Sequence, residues 1–317
     1  MFDSKTTLNE IYNTEFIRPI RDCLISGGNF FGENGHMTME QLQEKNPTWF
    51  ADDILYGLLR LQHSYEVHSI YGDSSLANVK LTWLPAENKL HDTFVILMAG
   101  GAYGAVCTMV EALPVAAKLN GLGYDCFCLN YRTAVPESFV KGLLPEPMDD
   151  LAAALRYITE KKEYFGVNPN DYAVSGFSAG GHLASIWGTA HMGARKYGVP
   201  QPKCMLLGYP LITMANVPES PVKQYLCTGL FGAGYTQEDV EKYDASRHVD
   251  AAYPPCYIVR CTDDITVSMR CADAMKAAMG ERCVIEQAET GGHGFGLGSN
   301  TPLRGWVERA AAWMEGL

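Results

Sequence analysis

A serine set between two glycines, in Gly176-Phe177-Ser178-Ala179-Gly180, is the stretch of this chain best suited to chemistry. It follows the short apolar run 172–175 and precedes an apolar segment at 182–187. That order predicts strand, sharp turn, helix. It fits the G-x-S-x-G elbow, where a strained turn lifts a serine hydroxyl above the edge of a sheet. A side chain at Gly176 or Gly180 would crowd the turn, which is expected to need unusual backbone angles and close helix–strand approach. A nucleophilic Ser178 implies hydrolysis or acyl transfer. The rest of the chain must then supply a base, an acid and donors for an oxyanion. The competing reading is a glycine-rich turn carrying an idle serine.

Three further segments have the residue types for those roles. Ala99-Gly100-Gly101-Ala102-Tyr103 directly follows the apolar run 94–98. Small residues there let the backbone approach a tetrahedral oxygen, so Gly101 or Ala102 is expected to donate one N–H and Ala179 the other. Each such donor stabilises the transition state by roughly 3 kcal/mol. His293 stands in Gly291-Gly292-His293-Gly294-Phe295-Gly296, a loop position from which an imidazole can reach a serine hydroxyl. Among the other histidines, His182 lies in the elbow helix and is expected to pack or hydrogen-bond there. His248 precedes the expected acid, which is the wrong chain order. The acid falls in Thr262-Asp263-Asp264-Ile265, where Asp263 and Asp264 both qualify by position. Tyr103 and Phe177, beside the donor loop and the serine, are candidate pocket residues.

The elements that must position these groups follow from periodicity. Residues 1–62 read as a helical extension, with a helix expected from Asn46-Pro47-Thr48 through Trp49, Ile54, Leu55, Leu58, Leu59 and Leu61 at three- and four-residue steps. This segment is either a structural extension or a cap over the site. From residue 63 onward strands alternate with helices. Strands are expected at 67–70, 79–84, 94–98, 126–131, 172–175, 204–208, 256–260 and 283–287. Helices are expected at 110–119, 148–161, 182–187, 269–279 and 303–314. Asp149 and Asp150 suit the positive N-terminus of the second of these. Such alternation implies a mostly parallel sheet covered by helices. Residues 211–250 break it; with Pro218, Pro221 and one short helix near 238–243, they read as an insertion shaping the substrate pocket.

Bulk properties narrow the partners. The chain has 317 residues, 47% of them hydrophobic, enough for one large α/β domain or two small ones and for a sizeable core. Its net charge of −11 argues against nucleic acid or an anionic membrane surface. The ten cysteines contain no C-x-x-C pair and no zinc-finger spacing, so they read as reduced thiols, with Cys126 and Cys128 alternating in a buried strand. No secretory signal and no run of about 18 apolar residues is visible, which predicts a cytoplasmic protein. No metal or organic cofactor is expected.

The residues resemble a known family. Leu97 to Tyr103, Leu129-Asn130-Tyr131-Arg132, Pro147 to Asp150, Ser175 to Ala184, Pro254-Pro255, Asp263 to Val267 and His293-Gly294-Phe295 are similar to the α/β-hydrolase esterases, in particular the acetyl-xylan-esterase-like and carboxylesterase group. The resemblance covers about residues 65–316. It implies an α/β-hydrolase fold and the order Ser178, Asp, His293. It also implies hydrolysis of a short acyl ester, acetyl above all, of a sugar or other small alcohol. In such families the acid stands three residues before Val-Pro. Val267 is followed here by Ser268, but the spacing favours Asp264. Arg260-Cys261 replaces the usual His-Gly or His-Thr, and the first 60 residues have no counterpart. A kynurenine-formamidase-like amidase, an acyltransferase and a non-catalytic interaction protein are the alternatives. The expected partner is a small-molecule ester, and homo-oligomerisation is left open.

Overall fold

The computed structural model describes residues 2–214 and 220–317. Its centre is one sheet of eight strands: β1 (Glu66–Ser69), β2 (Lys80–Leu84), β3 (Phe94–Met98), β4 (Cys126–Asn130), β5 (Tyr172–Phe177), β6 (Met205–Gly208), β7 (Cys256–Cys261) and β8 (Cys283–Ala288). Their spatial order is β1-β2-β4-β3-β5-β6-β7-β8. β1 and β2 are antiparallel to their neighbours, and every other pair is parallel. All residues of β3 to β7 are buried, which is why these strands read as continuous apolar runs rather than alternating ones.

The N-terminal residues form three helices of six or more residues, Leu8–Asn13, Met39–Lys45 and Ala51–Arg60, with the shorter helices Arg21–Leu24 and Phe30–Asn34 between the first two. Thr7 with Glu10 and Thr38 with Gln41 build reciprocal capping boxes that start the first two. Leu8, Ile11, Leu42, Ile54 and Leu58 join the same hydrophobic core as the sheet. Gly57 lets the third helix press on Ala112–Gly121: a Cβ there would stand 2.8 Å from the Pro114 nitrogen. That third helix begins at Ala51, not at Asn46-Pro47-Thr48. Asn46 ends the preceding helix, and the Trp49 N–H closes a turn onto its carbonyl.

Three other expectations shift. The insertion carries a helix, Pro221–Phe231, where only one short helix was expected. Pro221 occupies its first turn, where a missing N–H costs nothing, and the Ser220 hydroxyl accepts from the Lys223 N–H at 3.1 Å. Pro218 lies outside the described residues. The last helix starts at Trp306, after Gly305 at φ 81, rather than near Leu303. Asp150 is fully buried instead of facing a helix terminus. It accepts from the Arg132 amide at 2.8 Å, the Arg132 Nε at 2.9 Å and the Tyr71 hydroxyl at 2.9 Å. No disulfide forms among the described residues, and burial pushes the Cys128 thiol up to about 12.

Candidate active site

Parallel strands all point their C-terminal ends to one edge, where doubly wound sheets place their ligands. Ser178 follows β5 there, the 99–104 loop follows β3, Asp264 follows β7 and His293 follows β8. The elbow glycines act by close approach alone. A Cβ on Gly176 would meet the Gly180 carbonyl oxygen at 2.3 Å, and one on Gly180 the Met98 oxygen at 2.1 Å. Neither glycine has a positive φ; the unusual angle belongs to Ser178 itself, at φ 50. The strained residue is therefore the serine, as an exposed turn hydroxyl requires.

The Ser178 Oγ lies 2.8 Å from His293 Nε2, and His293 Nδ1 lies 2.7 Å from Asp264 Oδ2. Asp264 cannot donate when ionised, so Nδ1 carries the proton and Nε2 is left to accept from the serine. The Asp264 side chain is 4% exposed and its Oδ1 accepts from the Thr266 and Val267 amides, each at 2.8 Å. Asp263 is exposed and turned the other way, onto the Gly291 and Gly292 amides at 3.2 and 2.8 Å. One carboxylate thus meets the imidazole and its neighbour pins the loop that carries it. His248 bonds the Glu241 carbonyl and packs on His191. Arg260, unusual at its position, ties β7 to the Asp273 carboxylate at 2.7 Å.

The Gly-Gly loop lies directly against the serine. A Cβ on Gly100 would come within 2.7 Å of the Ser178 Cβ. Gly101 and Ala102 take φ 130 and 52, and with Ala179 their amides have no acceptor among the described residues. Ala179 also lies in the first turn of the helix Ser178–Trp187, where N–H groups lack partners and the dipole is positive.

Tyr103 and Phe177 are not pocket residues. Tyr103 is 1% exposed, and its hydroxyl meets His182 Nδ1 at 2.8 Å, tying the loop to the elbow helix. Phe177 is fully buried, its ring against Tyr209 and Trp306, because both faces of β5 are covered. His182 Nε2 faces the Tyr243 carbonyl at 2.9 Å, so Nε2 carries the proton and Nδ1 accepts from Tyr103. Burial pushes this imidazole down to about 4. The folded group is then neutral while the unfolded one, at its ordinary 6.5, takes up a proton. Stability is full above pH 6.5 and falls as pH drops toward 4, by about 3 kcal/mol in all. Urea unfolding across this range should show that loss, and His182→Gln should flatten it.

Sequence reading missed Glu111. It is fully inside, with one carboxylate oxygen accepting from the Gly100 amide and the other from the Tyr209 hydroxyl at 3.0 Å. The Tyr209 oxygen accepts in turn from the Gly296 amide at 2.9 Å, and its ring packs 4.8 Å from that of His293. Burial pushes the Glu111 carboxyl up from its usual range, while the Gly100 amide, His293 and Tyr209 pull it back. One side chain therefore joins the β3 loop to the histidine loop. The sequence signal was a lone charge inside the apolar stretch 109–117.

This strand order, with the serine at the β5 turn, is the α/β-hydrolase fold. Within it the chain belongs to the BD-FAE family, whose family model matches residues 82–279. A relative, an acetylxylan esterase of Xylanibacter ruminicola, is 28% identical over 213 residues, covering 65% of this chain and 41% of its own. The chain thus spans less than half the length of that relative. Among solved structures, an acetyl ester-xyloside bifunctional hydrolase from Caldicellulosiruptor lactoaceticus is 26% identical, with TM-score 0.65, covering 79% of this chain and 96% of its own. The carboxylesterase Cest-2923 from Lactobacillus plantarum, 19% identical with TM-score 0.63 over 80% of this chain and 98% of its own, shares the fold. Among the described residues no helix is long and apolar enough to cross a membrane, and no group of three or more His, Cys, Asp or Glu side chains could hold a metal ion.

Proposed function

We propose that the protein is a serine carboxylesterase that hydrolyses short acyl esters, acetyl above all, of a sugar or other small alcohol. The observation that carries this is the unbroken chain Ser178–His293–Asp264 at 2.8 and 2.7 Å. The names of the relatives support the ester and the acetyl group. In this reading His293 Nε2 takes the Ser178 proton as Oγ attacks the ester carbonyl. Asp264 stabilises the imidazolium, and the amides of Ala179 and of Gly101 or Ala102 receive the oxyanion. The imidazolium returns its proton to the departing alcohol. Water, deprotonated by the same Nε2, then releases the acid and restores Ser178.

Hydrolysis of p-nitrophenyl acetate, butyrate and octanoate, alongside N-formylkynurenine, tests the reading. The expected order is acetate first and octanoate last. Faster turnover of the formamide than of any ester would replace it with an amidase, and no turnover at all would sink it.

Glu111 would hold the oxyanion loop and the histidine loop in mutual register. Glu111→Gln puts an NH₂ group against either the Gly100 N–H or the Tyr209 oxygen, so one buried donor loses its acceptor. We expect a stability loss of about 1–3 kcal/mol and kcat lowered by roughly tenfold or more with KM little changed. Denaturant melts and steady-state rates on the acetate ester read both. An unchanged kcat would reduce Glu111 to a packing role.

A further inference from the structure

Two segments of the N-terminal extension reach the loops that build the candidate site. Residues 24–27 hold the loop after β3. The Leu24 carbonyl accepts from the Met109 N–H at 2.7 Å, and Ser26 and Val106 exchange backbone hydrogen bonds at 3.2 and 3.0 Å. A Cβ on Gly27 would stand 2.3 Å from the Gly104 oxygen. Residues 48–53 hold the loop that carries His293. A Cβ on Gly292 would stand 2.9 Å from the Thr48 methyl, and one on Gly294 3.5 Å from the Trp49 indole nitrogen. Asp53 completes the contact: its Oδ2 accepts from the Ser299 amide at 2.9 Å.

The histidine loop needs such support. It runs from the end of β8 at Ala288 to the helix that starts at Trp306, with no helix or strand between them. Five of residues 291–298 are glycine, so this backbone gives up more conformational freedom than most in adopting one shape. Two carboxylates bracket His293. Asp263 takes the Gly291 and Gly292 amides on one side, and Asp53 takes the Ser299 amide on the other. Asp53 is 4% exposed and sits in the first turn of the helix Ala51–Arg60, which Ile54, Leu55 and Leu58 seat on the core. The first N–H of that helix goes to Gln43 Oε1 at 2.8 Å, which leaves the Asp53 carboxylate to reach across. Burial pushes this carboxyl up from its usual range, while the Ser299 hydroxyl and amide pull it back. A buried carboxylate is costly unless it is hydrogen-bonded, and this one meets its partner on the histidine loop. Asp53 and Ser299 both lie outside the residues matched by the family model.

We propose that the N-terminal extension is a brace for the candidate site and that Asp53 is a positioning residue. Through the Ser299 amide it holds the loop so that His293 Nε2 stays in register with the Ser178 hydroxyl. The proposal rests on the esterase reading above. Moving a reacting group out of its productive geometry lowers the rate even where the substrate still binds. The brace should therefore show in kcat rather than in KM.

The test compares wild type with Asp53→Ala, Asp53→Asn and Leu8→Ala. Asp53→Ala removes the acceptor, and Asp53→Asn keeps an oxygen for the Ser299 amide. Leu8→Ala destabilises the extension at a helix whose first two N–H groups bond to Met37 and Gly35, away from both loops. Rates on p-nitrophenyl acetate are measured well below each melting temperature. Asp53→Ala is expected to lose about tenfold in kcat with KM little changed. Asp53→Asn should stay within about threefold of wild type, and Leu8→Ala should melt lower with kcat unchanged. Amide hydrogen exchange over residues 291–299 should quicken by about tenfold in Asp53→Ala and in neither other variant. Asp53→Ser takes the place of Asp53→Ala if that variant does not fold. An unchanged kcat in Asp53→Ala overturns the proposal, as does an equal loss in Leu8→Ala or in Asp53→Asn. Wild type that turns over no ester defeats the esterase reading instead, and the exchange rates still decide whether Asp53 orders the loop.

Discussion

Ser178→Ala lowers kcat on p-nitrophenyl acetate by about 10⁴- to 10⁶-fold while the protein stays folded. The size follows from the lack of a substitute: the Ser178 Oγ is the atom in hydrogen-bond contact with His293 Nε2. His293→Ala should cost a similar factor, and the double variant should be no worse than either single one. Groups that act as a unit lose their whole contribution at the first deletion. The fold should not depend on the hydroxyl, since its hydrogen bond is to the His293 side chain on a loop. Ser178→Gly supplies a second readout. It is equally inactive, yet relief of the φ 50 strain should stabilise it relative to Ser178→Ala by about 1 kcal/mol. Steady-state rates and urea melts on the four variants decide the matter. Residual turnover above about a hundredth of wild type in Ser178→Ala would mean the nucleophile lies elsewhere.

The glycine spacing around Ser178 and the apolar runs of β3 to β7 were legible because they are local. Buried parallel strands leave continuous runs, and an elbow needs small residues on both sides of the nucleophile. Contacts between distant segments were less legible. Glu111 matters through Gly100, Tyr209 and Gly296, three partners spread along the chain. A sequence window sees only one charge in an apolar stretch. Tyr103 and Phe177 looked like pocket residues because they neighbour functional positions. Neighbours in sequence point in different directions, and both of these point into the core. The helix Pro221–Phe231 was hidden because proline reads as a breaker, although it is favoured at a helix's first position. The missing proline after Val267 has its own explanation. Asp264 orders that turn by accepting the Thr266 and Val267 amides, and the Ser268 carbonyl accepts from the Cys271 N–H as the next helix begins.

The same turn makes the choice between the two aspartates a sharp test. Asp264→Asn should lower kcat by about 10⁴-fold, and Asp263→Asn by no more than roughly tenfold. Two amides point at Asp264 Oδ1, each at 2.8 Å, and only an oxygen can accept them. An asparagine is therefore forced to keep its carbonyl there and turn its NH₂ group toward His293 Nδ1. A donor at that place requires Nδ1 to be unprotonated, which moves the ring proton to Nε2. The proton then faces the Ser178 hydroxyl, and the imidazole can no longer accept from it. The substitution keeps shape and hydrogen-bond count and reverses the tautomer, so it should remove activity with little change in stability. At Asp263 an asparagine oxygen can still accept from Gly292, so the loop keeps its anchor and the relay its polarity. The comparison needs rates and urea melts on both variants. A larger rate loss at Asp263 than at Asp264 would reassign the acid.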